Sequence, residues 1–142
     1  MVVAAGILGD GAGRVLIARR ADRAHAGGCW EFPGGKLHAG ESAADALARE
    51  LREELGIEVR AATPFMVHRH DYPERRVELH VFRVSAWDGE PRGLEGQPLR
   101  WVGVDELPAC GLLEADAPIA EALIRSCQAA ISRSSGGSGR PC

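Results

Sequence analysis

Glu50, Glu53 and Glu54 stand three and four places apart in the stretch "RELREELGI". In a helix those spacings put three carboxylates on one arc, where they repel one another. Two of them fall in what would be the last turn, where the helix dipole disfavours negative charge. Folding gains nothing from this arrangement. A hard divalent cation does, because it wants several oxygen ligands and brings phosphates with it. A solvated face is the commoner meaning of a charge run, so the surroundings of these acids must decide. His68 and His70 alternate along a strand as a metal pair would. With no third ligand near them in the chain, a plain strand is the better reading.

Residues 42–55 carry the signals of the helix these acids need. Ser42 with Asp45 three places on is a capping start, and Gly56 falls where a left-handed residue ends a helix. Ala44, Leu47, Ala48, Leu51 and Leu55 form the stripe that must face a core. Residues 2–8 and 14–19 are apolar runs joined by "GDGAG", which predicts a hairpin. Residues 21–36, rich in Gly, Ala and Pro, predict a loop. "EVRAATPFMVHRHDY" and "RRVELHVFRVSAW" predict two longer strands, and "LRWVGV" another. "VDELPAC" predicts a helical turn and 117–131 a second amphipathic helix. The expected organisation is one domain over 1–131 and a disordered, low-complexity tail over 132–142. The irregular alternation of strands and helices predicts an α/β fold with a mixed sheet and helices on its faces.

A chain of 142 residues suits one core, and its 45% hydrophobic and 26% charged residues are ordinary globular values. A net charge of −3 and a pI of about 5.9 argue against duplex nucleic acid or an anionic membrane as a partner. The opening "MVVAAGIL" lacks a basic segment and a cleavage pattern, so it predicts a strand rather than a signal peptide. Four cysteines without a CxxC pair predict reduced thiols. The cytoplasm is the expected compartment.

The spacing around the three glutamates settles their meaning. Gly35, Glu41, Arg49, Glu50, Leu51, Glu53, Glu54, Gly56 and Ile57 fit G-x5-E-x7-R-E-U-x-E-E-x-G-U, with U a bulky aliphatic. A chance match in such a chain is on the order of one in ten million. The segment resembles the Nudix box. "RRADRAHAGGCWEFPGGK", "HDYPERR", "WDGEPRGLEGQPLRW" and "ADAPI" follow in order, and together resemble the MutT-type proteins that hydrolyse oxidised purine nucleoside triphosphates.

That resemblance implies a Nudix α/β/α sandwich around a mixed sheet, and Mg²⁺-dependent cleavage (with Mn²⁺ as a substitute) of a nucleoside triphosphate to monophosphate and pyrophosphate. It implies that the Gly34 carbonyl, Glu50, Glu53, Glu54 and Glu95 hold metal, with Glu95 on a mobile loop. Glu53 or Glu95 would deprotonate water, and Arg49, paired with Glu41, would orient these catalytic acids. Arg20 would grip phosphates, a task that suits its fork of donors. Arg19 alternates to the other side of its strand and ranks lower. His25, Glu31, Phe32, Pro33, Tyr72 and Arg75 would contact substrate, while Trp30 belongs to the core. The resemblance further implies a monomer or weak dimer acting on free nucleotides.

Asp116 departs from the family pattern, which has Asn before "EPV" or "RPI". Asn both donates and accepts, whereas ionised Asp only accepts. An 8-oxoguanine nucleotide leads, with CTP or a modified dCTP as the alternative. A nucleotide-binding regulator without chemistry is a further alternative.

Overall fold

The computed structural model describes residues 1–21 and 27–133. Its strands are β1 (Val2–Leu8), β2 (Arg14–Arg19), β3 (Trp30–Glu31), β4 (Gly34–Lys36), β5 (Glu58–Tyr72), β6 (Arg75–Asp88) and β7 (Leu99–Gly103). Helix α1 spans Ala43–Leu55 and helix α2 Ala117–Arg133, with 3-10 turns at Val104–Ala109 and Glu114–Asp116.

Alternation along the strands sets the layers, because successive side chains point to opposite faces. Ala4 and Leu8 of β1, with Phe82 and Val84 of β6, enter a core closed by Leu47, Leu51 and Leu55 of α1. Ala5 and Ile7, with Val77, Leu79 and Val81, enter a second core closed by Ile119, Ala120 and Leu123 of α2. The helices therefore cover opposite faces of the β layer, and the fold is an α/β/α sandwich.

The β layer consists of a four-stranded mixed sheet, in order β4-β1-β6-β5, and a three-stranded sheet, β3-β2-β7. β1 runs parallel to β6 and antiparallel to β4. The predicted hairpin of β1 with β2 is not formed. Both edges of β1 are taken by β4 and β6, so β2 pairs instead with β3 and β7. Only an isolated bridge, Gly9 to Val15, spans the turn, where Asp10 accepts from the N–H groups of Ala12 at 2.7 Å and Arg14 at 3.1 Å. The predicted loop over 21–36 contains β3 and β4, too short to leave a periodic signal.

α1 forms for the expected local reasons. Ser42 accepts from Asp45 N–H at 3.1 Å, and Gly56 ends the helix at φ 71° with its N–H bonded to Arg52 O. Ala46, rather than the expected Ala44, joins Leu47, Leu51 and Leu55 in the core. α2 runs two residues past its expected end, to Arg133, and the rest of the tail lies outside the described residues. Cys29 and Cys110 are free thiols, but Cys127 is disulfide-bonded, against the expectation of four reduced cysteines. Among the described residues, no helix is long and apolar enough to cross a membrane.

Candidate active site

Arg49 organises the acids of α1. Its Nε donates to Glu41 Oε2 at 2.8 Å and its Nη2 to Glu41 Oε1 at 3.0 Å. Nη1 donates to Glu50 at 2.9 Å and to Glu53 at 3.2 Å, and Nη2 reaches the Lys36 carbonyl at 3.0 Å. One planar guanidinium thus ties α1 to the segment before it and holds two of the three box glutamates. Glu41 is pulled down to about 2, chiefly by its hydrogen bonds from Arg49 and then by the His38 N–H.

Glu50 and Glu54 turn inward toward β4. A Cβ on Gly35 would lie 2.4 to 2.6 Å from the Glu50 carboxyl group, so only glycine leaves room for it. At Gly34 φ is 154°, and a Cβ would fall 1.9 Å from the Ala4 carbonyl oxygen. Burial pushes Glu54 up to about 8, and the charges of Glu50, Glu95 and Glu31 push in the same direction. Four carboxylates therefore face one space. Among the described residues, no three acidic, histidine or cysteine side chains are already closed into a coordination cluster. The donor set is nevertheless all oxygen, and it carries more negative charge than Arg49 offsets. Such a set fits a hard divalent cation, which Glu50, Glu53, Glu54, Glu95 and the Gly34 carbonyl would hold.

Glu95 is exposed, on a loop fastened to the end of α1. Arg92 N–H donates to Leu55 O, and Leu94 N–H to Glu54 O, both at 3.0 Å. These bonds tie the loop to the end of α1. Glu95 and Glu54 line a cleft of about 320 Å³ together with Arg19, Arg20, Glu31 and Gly34. Arg19, ranked low from strand alternation, thus lines the same cleft as Arg20. Pro33, fully buried, forms part of its floor.

A second cavity, of about 250 Å³, opens from the same place and shares Arg20, Glu31, Gly34 and Glu54. Arg20 Nη1 donates to both Glu31 oxygens, at 2.9 and 3.2 Å. Burial still raises Glu31 above the usual carboxylate range. Phe32, Tyr72, Arg75 and Asp116 line the inner part. Asp116 is 3% exposed, and its Oδ2 accepts from Phe32 N–H at 2.9 Å. Burial, then the Glu31 charge, push it up to about 7. Tyr72 accepts from Ala115 N–H at 3.1 Å, which fixes its ring against the turn that carries Asp116.

His25 lies outside the described residues. Trp30 packs against the α2-side core, as expected, with Arg100 over its ring at 5.2 Å. The rings of His68 and His70 lie 5.8 Å apart, but no described third ligand joins them. Gln97, which lines the cleft of Glu54 and Glu95, was not apparent from the sequence. A lone amide in a Gly- and Pro-rich loop has no pattern to mark it.

Known proteins resemble this chain in sequence and fold. A NUDIX domain family model matches residues 4–122. An 8-oxo-dGTP diphosphatase of Escherichia coli (strain K12) is 37% identical over 87% of this chain and 95% of its own length. A CTP pyrophosphohydrolase of the same organism is 39% identical over 87% of this chain and 90% of its own. The crystal structure of the MutT NUDIX hydrolase from Burkholderia pseudomallei superposes with a TM-score of 0.77 at 33% identity, covering 84% of this chain and 95% of that one. With a family model matched over residues 4–122 and relatives of this identity and coverage, the chain belongs to the NUDIX domain family.

Proposed function

We propose that the chain is a Mg²⁺-dependent nucleoside triphosphate pyrophosphohydrolase, with 8-oxo-dGTP as its substrate and the monophosphate and pyrophosphate as products. The carrying observation is the junction of two cavities at Glu54. One cavity holds Phe32, Tyr72 and the buried Asp116 carboxyl group, and the other is lined by Arg19, Arg20, Glu54 and Glu95. A nucleotide laid across the junction puts its base against Phe32, Tyr72 and Asp116 and its phosphates beside Arg19 and Arg20.

Mg²⁺ (or Mn²⁺), held by these carboxylates, would supply the charge that polarises phosphate oxygens and lowers the pKa of water. The chain itself supplies position and proton transfer. Arg20, oriented by Glu31, brings its guanidinium to the phosphate oxygens. Glu53 has one oxygen held by Arg49 and a half-exposed side chain, which leaves the other oxygen to take a proton from water. Glu95 is the alternative base. Asp116 Oδ1 accepts an N–H from the base edge, since Oδ2 is occupied by Phe32.

A CTP-type substrate is the second reading. Asp116 favours it because a carboxylate accepts from an exocyclic amine, and one relative carries that activity in its name. A regulator without chemistry would have no use for four carboxylates facing one another. The expected setting is the cytoplasm, with free nucleotides as partners. Ranking kcat/KM over dNTPs, rNTPs and oxidised or methylated forms tests the substrate. 8-oxo-dGTP should rank first, and a cytosine nucleotide ranking first would transfer the assignment to the second reading.

A further inference from the structure

The loop after β6 places Glu95 beside Glu54, and a single side chain joins the two. Gln97 Oε1 accepts from Glu95 N–H at 2.9 Å, while its Nε2 donates to the Glu54 carbonyl at 3.1 Å. That carbonyl is one of the four at the end of α1 with no partner inside the helix, and it also accepts from Leu94 N–H at 3.0 Å. Leu94, 55% exposed, closes the clamp by lying over the helix terminus, its Cδ1 3.2 Å from where a Cβ on Gly56 would be.

From this geometry we propose that Gln97 is the positioning residue of the site, setting the Glu95 carboxylate against Glu54 at the rim of the phosphate cleft. An amide suits this place because both ends are used at once, one as acceptor and one as donor. Neither Glu, which when ionised cannot donate, nor Lys, which cannot accept, makes both bonds. Glu54, Glu95 and Gln97 line one cleft, so the bonds of Gln97 act on the spacing of the two acids there. A rigid frame of this kind matters where acids must meet the same cation or water, because small misplacements of reacting groups cost large factors in rate.

This inference rests on Glu95 acting in hydrolysis. The test is a double-mutant cycle with 8-oxo-dGTP and Mg²⁺, using Gln97→Ala, the isosteric Gln97→Met, Glu95→Gln and the two double variants. Each Gln97 variant should lower kcat about 10- to 100-fold, leave KM within about threefold, and raise the Mg²⁺ concentration for half-maximal rate as Glu95→Gln does. The double variants should be no slower than Glu95→Gln alone, because a positioning residue has nothing left to position. Multiplying losses, or a lowered melting temperature with an unchanged Mg²⁺ requirement, would make Gln97 a merely structural staple. If Glu95→Gln is silent while Glu53→Gln abolishes turnover, the positioning role is overturned but the assignment of the site stands. Loss of activity in neither would overturn both.

Discussion

Arg49 and Glu41 meet as a two-pronged pair, Nε to Oε2 at 2.8 Å and Nη2 to Oε1 at 3.0 Å, across the turn that leads into α1. The same guanidinium also reaches Glu50, Glu53 and the Lys36 carbonyl, so Arg49→Lys cannot repeat its work. A lysine keeps the charge but not the planar fork. Its kcat should fall about 10- to 100-fold, with a drop of a few degrees in melting temperature. A variant within twofold of the parent in both would show that the acids of α1 hold their places without Arg49.

The depressed Glu41 gives a pH signature. Its folded-state value of about 2 lies below the ordinary glutamate value of about 4.3. The stability it contributes is present above the ordinary value and is lost as pH falls through about 2. Denaturant midpoints between pH 5 and 2 should fall less steeply in Glu41→Gln than in the parent. Parallel curves would mean that the pair adds nothing to folding.

Glu54 works in the opposite sense. Raised to about 8, it favours the folded state while protonated, a contribution that fades as pH climbs from about 4.3 to 8. Metal-free protein should therefore lose stability over that range, and Glu54→Gln should remove part of the loss. A divalent cation should restore stability at the alkaline end, since the ligand binds only the folded form. Thermal melts from pH 5 to 8.5 with and without Mg²⁺ read both effects.

In the proposed reading Asp116 selects the base. Asn in its place can still accept once and can donate to a carbonyl, so turnover of 8-oxo-dGTP by Asp116→Asn should stay within about tenfold, one charge-assisted bond being exchanged for neutral ones worth ~1 kcal/mol less. Asp116→Ala should cost more, because donors on the base and the Phe32 N–H both lose their partner. For a cytosine nucleotide the Asn variant should collapse instead, its NH₂ facing the N4 amine. Equal rates for all three proteins on both substrates would mean that Asp116 does not read the base.

What the sequence made legible and what it hid divide along the range of the interaction. α1 was readable from Ser42, Gly56 and its leucines because caps and helical periodicity are local. β5 and β6 were readable to within a residue because a turn joins them and they pair with each other. The hairpin of β1 with β2 failed because the partner of β1 is β6, some seventy residues away, and a parallel pairing leaves no mark in the turn. The box acids and Asp116 were visible as residues. The Phe32 N–H to Asp116 bond, spanning 84 positions, and the two hydrogen bonds of Gln97 were not. They depend on backbone groups, which every residue carries.

Glu53, half exposed and held by Arg49, is the acid whose loss should disturb chemistry most and folding least. The most direct measurement is pyrophosphate release from 8-oxo-dGTP in ¹⁸O-water, with and without Mg²⁺, for the parent and Glu53→Gln. The parent should release pyrophosphate only with the cation and carry the label in the pyrophosphate, as attack at the β-phosphorus requires. Glu53→Gln should be at least ~10²-fold slower at nearly the same melting temperature. Turnover within a few-fold of the parent, or hydrolysis indifferent to Mg²⁺, would contradict the placing of the reaction on this helix.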